Sequence, residues 1–305
     1  MRPIATLAVW GACVGLSGCA SLASADDWPE PRAGSGGAST SSTSVSSGGG
    51  GGAGGSTGSG GSDGGSGGVG GVSGGCTAVS PASMTYAAAV QGDTPQSYWR
   101  FDEASGATAA DHVGPHEGIY AGAPTLGAAG AFEDNTAVEL DGEDEAIIIG
   151  DDLNFMDADP FTIEAWICRA STSPAKDRRI VDKLELAPAK NGYALEIREP
   201  DGELSFQRWR ANASDVVSTT LPNDGRYHYV VGVFNGAASF LYVDGVEMKM
   251  EPATHDLIGV DALVVIGNNE DGTNGFLGRI DEVAVYAQAL TGMDVLLHYQ
   301  AATQR

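Results

Sequence analysis

From Phe161 to Tyr286 apolar residues come in short runs, mostly at every second position, separated by glycine, proline, asparagine and aspartate. A period of two puts alternate side chains on opposite faces of an extended strand. In Phe161-Thr-Ile-Glu-Ala-Trp-Ile167, the residues Phe161, Ile163, Ala165 and Ile167 share one face, and Tyr193, Leu195 and Ile197 repeat the pattern. Gly202 leads into Leu204-Ser-Phe206, Tyr227 to Phe234 is rich in valine and aromatics, and Leu263 to Gly267 is a valine-isoleucine run. Phe240 to Val243 and Val246 to Lys249 flank Asp244-Gly245, which predicts a two-residue hairpin because glycine supplies the positive φ. In Phe276 to Tyr286 the spacing of Ile280, Val283 and Val285 breaks alternation, which predicts burial on both faces or a bulge. Only Thr291 to Ala302 reads as helix, with Thr291 and Asp294 spaced like a capping box and Val295, Leu296 and Tyr299 as its apolar stripe. Many strands and one short C-terminal helix predict an all-β fold, a two-sheet antiparallel sandwich of the jelly-roll type.

The region before Cys76 has a different character. From Gly34 to Gly75 half the residues are glycine and most others are serine, threonine or alanine, too little apolar surface to offset chain entropy. Arg2 followed by the apolar stretch Ile4 to Gly15 is shorter than the ~20 residues of a spanning helix and fits a signal-peptide core. The expected division is a signal peptide at 1–18, a Gly/Ser-rich tether at 19–75 and a sandwich domain at 76–305. The tether composition predicts a flexible coil with ends near ~40 Å apart, and the remainder, roughly 225 residues, is enough for one β-rich domain. The chain carries a net charge of -24, and -22 of it falls beyond residue 75, with 36 acids against 14 bases. Such a surface repels phosphate backbones and anionic lipid headgroups, so no nucleic-acid partner is expected. It suits cations and neutral ligands.

Several ordered pieces carry a resemblance. Leu16-Ser-Gly-Cys19 resembles the bacterial lipobox, which implies acylation of Cys19, a lipid anchor as the one contact with a membrane, and a place on the cell envelope. Ala20 and Ser21 after it imply the outer membrane. Tyr98-Trp-Arg-Phe-Asp-Glu103 with Gly106, then Asp111, Gly118-Ile-Tyr120 and Val138-Glu-Leu-Asp-Gly142, resemble the opening of LamG-like domains of the concanavalin A-like lectin/glucanase superfamily. Phe161 to Trp166, Asp224-Gly-Arg-Tyr-His-Tyr-Val230, Leu241-Tyr-Val-Asp-Gly245 and Gly278-Arg-Ile-Asp-Glu-Val-Ala-Val-Tyr286 with Ala289-Leu290 continue it in family order, so that it spans Tyr98 to Ala302. The fold hosts lectins, glycosidases, adhesins and spacers alike.

Glucanases of this superfamily place catalytic carboxylates two and three residues apart on one strand, and no such strand is found here. Asp281 and Glu282 are adjacent, so a regular strand would point them to opposite faces, and Glu164 stands alone. Gly114-Pro115 breaks any helical pairing of His112 with His116. The resemblance implies one structural calcium ion, at Asp102 and Asp281 by position, with Asp141 and Asp144 as further candidates. Cys76 and Cys168 remain after processing, and in an exported domain they are expected to pair. Among the aromatics Trp209, in the polar setting Arg208-Trp-Arg210, is the candidate for stacking on a sugar, whereas Trp99 and Trp166 read as core. The expectation is a non-catalytic envelope module that binds a glycan or an envelope protein; a divergent glycoside hydrolase and a spacer without a ligand are the alternatives.

Overall fold

The computed structural model describes residues 76–80, 83–170 and 176–303. The signal peptide, Cys19 and the tether lie outside the described residues. Among the described residues sixteen strands and two helices follow one another as α1 (Met84–Gly92), β1 (Ser97–Trp99), β2 (Thr108–Ala109), β3 (Gly118–Ala121), β4 (Thr125–Ala129), β5 (Thr136–Asp141), β6 (Ala146–Gly150), β7 (Phe161–Arg169), β8 (Arg178–Glu185), β9 (Asn191–Arg198), β10 (Glu203–Arg210), β11 (Ala213–Thr220), β12 (His228–Phe234), β13 (Ala238–Val243), β14 (Val246–Pro252), β15 (Val264–Ile266), β16 (Leu277–Tyr286) and α2 (Gly292–Thr303). They form two antiparallel sheets. One runs β14-β13-β12-β7-β16-β5-β4, with β1 also on β16, and the other runs β11-β10-β9-β8-β15-β6-β3-β2.

The core between the sheets is built from the alternating faces expected above. Phe161, Ile163, Ala165 and Ile167 of β7 meet Tyr193, Leu195 and Ile197 of β9, with Leu204 and Phe206 of β10 beside them. Asp244 and Gly245 both take positive φ, 51° and 78°, as the two-residue hairpin requires. Thr291 and Asp294 cap α2 reciprocally: the Asp294 N–H donates to the Thr291 hydroxyl at 3.3 Å, and the Thr291 N–H donates to the Asp294 carboxylate at 2.8 Å.

The helix content departs from expectation. α1 is a second helix, and it packs with α2 on the outer face of the first sheet. There Tyr86, Val90, Trp166, Tyr229, Tyr286 and Val295 make a second core. His298 of α2 is 1 % exposed within this layer. Cys76 and Cys168 are joined by a disulfide across a sequence separation of 92, which ties the start of the domain to the end of β7.

In β16 the register against β7 shifts between Asp281 and Ala284, and Glu282 has φ 50°. This is the bulge that the broken alternation allowed. It changes the expectation for the two acids. Instead of opposite faces, both carboxylates accept from the Asn135 amide, at 3.0 Å for Asp281 and 3.1 Å for Glu282.

Candidate functional site

The outer face of the second sheet carries an unusual set of side chains. In β9 the core residues Tyr193, Leu195 and Ile197 leave Ala194 and Glu196 on the outside. In β10 the same alternation leaves Ser205, Gln207 and Trp209 outside. A register shift in β8 between Arg179 and Val181 puts Arg179 and Asp182, three residues apart, within reach of each other on one face. The cross-strand register sets Arg179 opposite Glu196, Asp182 opposite Ala194, and Glu196 opposite Ser205.

These residues form one chain of contacts. The Trp209 indole N–H donates to the Gln207 amide oxygen at 2.6 Å. The Gln207 amide donates to Glu196, and Glu196 pairs with the Arg179 guanidinium. The Arg179 Nε lies 3.1 Å from Asp182. Arg179, Asp182, Glu196 and Gln207 are all buried, at 7, 1, 0 and 5 % exposure. A buried charge is expensive unless paired, and Arg179 sits between two carboxylates for that reason. Burial is the main force raising Asp182, to about 6, against the pull of Arg179. Lys190, just before β9, places its ammonium 3.8 Å from the centre of the Trp209 ring. Burial first, and Arg179 next, push Lys190 down to about 8.

A cleft of ≈ 380 Å³ adjoins this face, lined by Glu185, Leu186, Ala187, Asp261, Ala262, Asn269, Glu270 and Asp271. Glu270 on its rim is close enough to raise Asp182 further. The face therefore offers an aromatic ring, an ammonium without an ion pair among the described residues and a polar floor beside an acidic cleft, the ingredients for holding a polar ring-shaped ligand.

Of the residues singled out from sequence, Trp209 belongs to this face, half-buried and oriented by Gln207. Trp99 and Trp166 are fully buried. The four acids considered for calcium fall in two places, Asp102 near enough to Asp281 to act on its charge and Asp141 in one turn with Asp144. Asp102 accepts from the Thr136 N–H at 3.2 Å, at the start of β5, while Asp141 ends that strand and turns to accept from the Glu143 N–H at 2.8 Å. Asp144 follows in the same turn. Asp281 accepts from the Ala131 N–H at 2.7 Å besides Asn135. The Arg100 guanidinium lies 3.3 Å from Asp102 and 3.2 Å from Glu282. A protein cation thus stands beside Asp102, and amide donors face one oxygen of Asp281, while its Oδ1 is buried without a hydrogen-bond partner among the described residues. Among the described residues no group of three or more His, Cys, Asp or Glu could hold a metal ion. Asp281 is pushed well up by burial and then by Glu282; burial also raises Glu282, against Arg100.

Arg179, Asp182, Lys190, Glu196 and Gln207 were not legible as a site. The one usable signal was the acid at Glu196 inside an otherwise apolar alternation. Glu164, read as solitary, is a hub in the second core. It accepts from Tyr286 at 2.8 Å, from Tyr86 at 3.2 Å and from Tyr229, and lies 3.0 Å from His298.

A model of the concanavalin A-like lectin/glucanases superfamily matches residues 141–296, just over half of the chain. No curated protein matches. Among solved structures, the binding domain of Paraclostridial Mosquitocidal Protein 1 superposes with a TM-score of 0.54 at 15% identity, covering 68% of this chain and 52% of that one. The botulinum neurotoxin serotype D ligand binding domain in complex with N-acetylneuraminic acid gives 0.53 at 14% identity, covering 70% and 52%. Domain 4 of the extracellular arabinanase AbnA from Geobacillus stearothermophilus, in complex with arabinotriose, gives 0.53 at 19% identity, covering 68% and 98%. The chain spans about half the length of the toxin domains it matches. At these identities the likeness shows the fold alone.

Proposed function

This chain belongs to the concanavalin A-like lectin/glucanases superfamily, and from that premise we propose that it is a non-catalytic module that binds a glycan on the outer face of β8, β9 and β10. The observation that carries the reading is the buried chain from Trp209 through Gln207, Glu196 and Arg179 to Asp182. It fixes an aromatic platform at the surface, and sugars stack on such rings through their C–H faces. Neighbours of the same fold bound to arabinotriose and N-acetylneuraminic acid support a carbohydrate as the ligand class. The full chain on a glycan array, followed by calorimetry with the strongest binders, is the test. Trp209→Ala is expected to weaken binding about tenfold or more while the domain keeps a cooperative melting transition. Undiminished binding by that variant would move the site elsewhere.

The non-catalytic reading is supported by the two carboxylates of this face. A glycosidase needs a pair of carboxylates free to work on the glycosidic bond, whereas Asp182 and Glu196 both hold Arg179. The raised Asp182 is the observation that favours a hydrolase instead, since a general acid needs such a shift. Hydrolysis of β-glucans that disappears in Asp182→Asn would establish that alternative.

The proposal places the module on the bacterial cell envelope, at the outer membrane, through lipid on Cys19. Cys19→Ala is expected to move the protein from the membrane to the soluble fraction, and unchanged fractionation would overturn the anchor. The calcium ion implied by the family is tested by melting with and without a chelator. A lower melting temperature in chelator supports an ion at Asp102 and Asp281; an unchanged one leaves their charge balance to Arg100 and Asn135.

A further inference from the structure

Resting on the glycan-binding reading above, we infer that the ligand carries a carboxylate, with the Lys190 ammonium as its partner and the Trp209 ring as its platform. The protein has four lysines. Three of them reach a carboxylate: Lys176 lies 3.9 Å from Glu143, Lys183 2.8 Å from Asp151 and Lys249 3.1 Å from Glu251. Lys190 has no ion pair among the described residues. Among the lysines it alone has no carboxylate beside it, and its ammonium rests on an indole ring instead.

The position is built. The Lys190 N–H donates to the Asn212 side chain at 2.9 Å, and the Asn191 side chain accepts from the Ala211 N–H at 2.8 Å and donates to the Ala189 carbonyl at 2.9 Å. Ala211 and Asn212 hold positive φ of 48° and 68° in the β10–β11 turn. Two side-chain amides thus lock the backbone under Lys190 while leaving its ammonium unclaimed. The carboxylates across the face cannot claim it without giving up Arg179, which holds both Asp182 and Glu196. Burial and then Arg179 disfavour the Lys190 charge, Asp182 and Asp177 favour it from farther off, and none of them is a direct partner of the ammonium. An incoming carboxylate gives the ammonium the direct partner it lacks, as no neutral sugar can.

The net charge narrows the class. A domain at -22 repels a densely charged polyanion, although at physiological salt the repulsion is screened beyond ~8 Å. One lysine over one ring suits a single acidic residue or chain end, such as a uronate, rather than a polysulfate.

The test uses calorimetry on the full chain at physiological salt, with neutral oligosaccharides and the same oligosaccharides oxidised to uronates at C6. The uronate forms are expected to bind about tenfold tighter. Lys190→Met is expected to abolish that preference with no change in melting temperature, and Lys190→Arg to keep it. Equal binding of both forms, or a preference that survives in Lys190→Met, overturns this inference and leaves the glycan reading standing. Binding of neither form overturns both.

Discussion

Glu164→Ala is expected to destabilise the domain by on the order of 3–5 kcal/mol, the range for removing one partner of a buried ion pair. Glu164 is completely buried on β7, under α1 and α2. Its carboxylate gathers the hydroxyls of Tyr86 from α1, Tyr229 from β12 and Tyr286 from β16, together with the imidazole of His298 from α2. The other imidazole nitrogen lies 3.0 Å from Asp93, just past the end of α1. Removing the carboxylate strands three hydroxyls and half of the charge balance of His298. Glu164→Gln keeps an acceptor and is expected to cost less. Urea unfolding of the two variants measures the difference, and a loss below ~1 kcal/mol in Glu164→Ala would refute the hub. A pH signature accompanies it. Although burial opposes its charge, Glu164 and Asp93 raise His298 to about 9 from 6.5. The folded state binds this proton more tightly than the unfolded chain does. Its contribution is therefore complete below pH 6.5 and is lost as pH rises through about 9. His298→Gln should flatten that alkaline limb of the stability profile.

Opening the disulfide is the second large effect. The bond closes a loop across a sequence separation of 92, and cross-links of that span stabilise by restricting the unfolded chain, typically by about 2–4 kcal/mol. Cys76→Ser is the cleaner variant, because Cys168 is buried in the second core and a hydroxyl there would add its own penalty. Denaturant unfolding of Cys76→Ser beside the parent, with and without reductant, gives the size. Identical midpoints for parent and variant in the absence of reductant would mean that the bond adds nothing.

The strands that could be read from sequence are β7, β9 and β13, each with one face committed to the core, and β14, placed by the Asp244-Gly245 turn although its side chains are exposed. β8 reads as Arg-Arg-Ile-Val-Asp-Lys-Leu-Glu, where charges interrupt every apolar pattern. Its bulge, invisible in sequence, is what turns Arg179 and Asp182 to the same face. The bulge in β16 did the same to Asp281 and Glu282. α1 was missed for a different reason. Its nine residues carry no side-chain cap, so the helix depends on burying Tyr86 and Val90 against α2 and the sheet rather than on its own propensity. Trp209 was legible as a surface aromatic in a polar setting. Its supports were not, because Gln207, Glu196 and Arg179 lie on three strands and meet only through the register.

The disulfide also decides where a mechanical load would travel. A pull on the chain before Cys76 passes through the covalent bond to Cys168, at the end of β7. That strand is hydrogen-bonded on both sides, to β12 and β16, so the load is shared in shear across two ladders. α1 lies inside the closed loop and carries none of it. A ligand held at Trp209 on the opposite sheet would then be strained against the middle of the first sheet, and the domain would resist tension without first peeling its helices away.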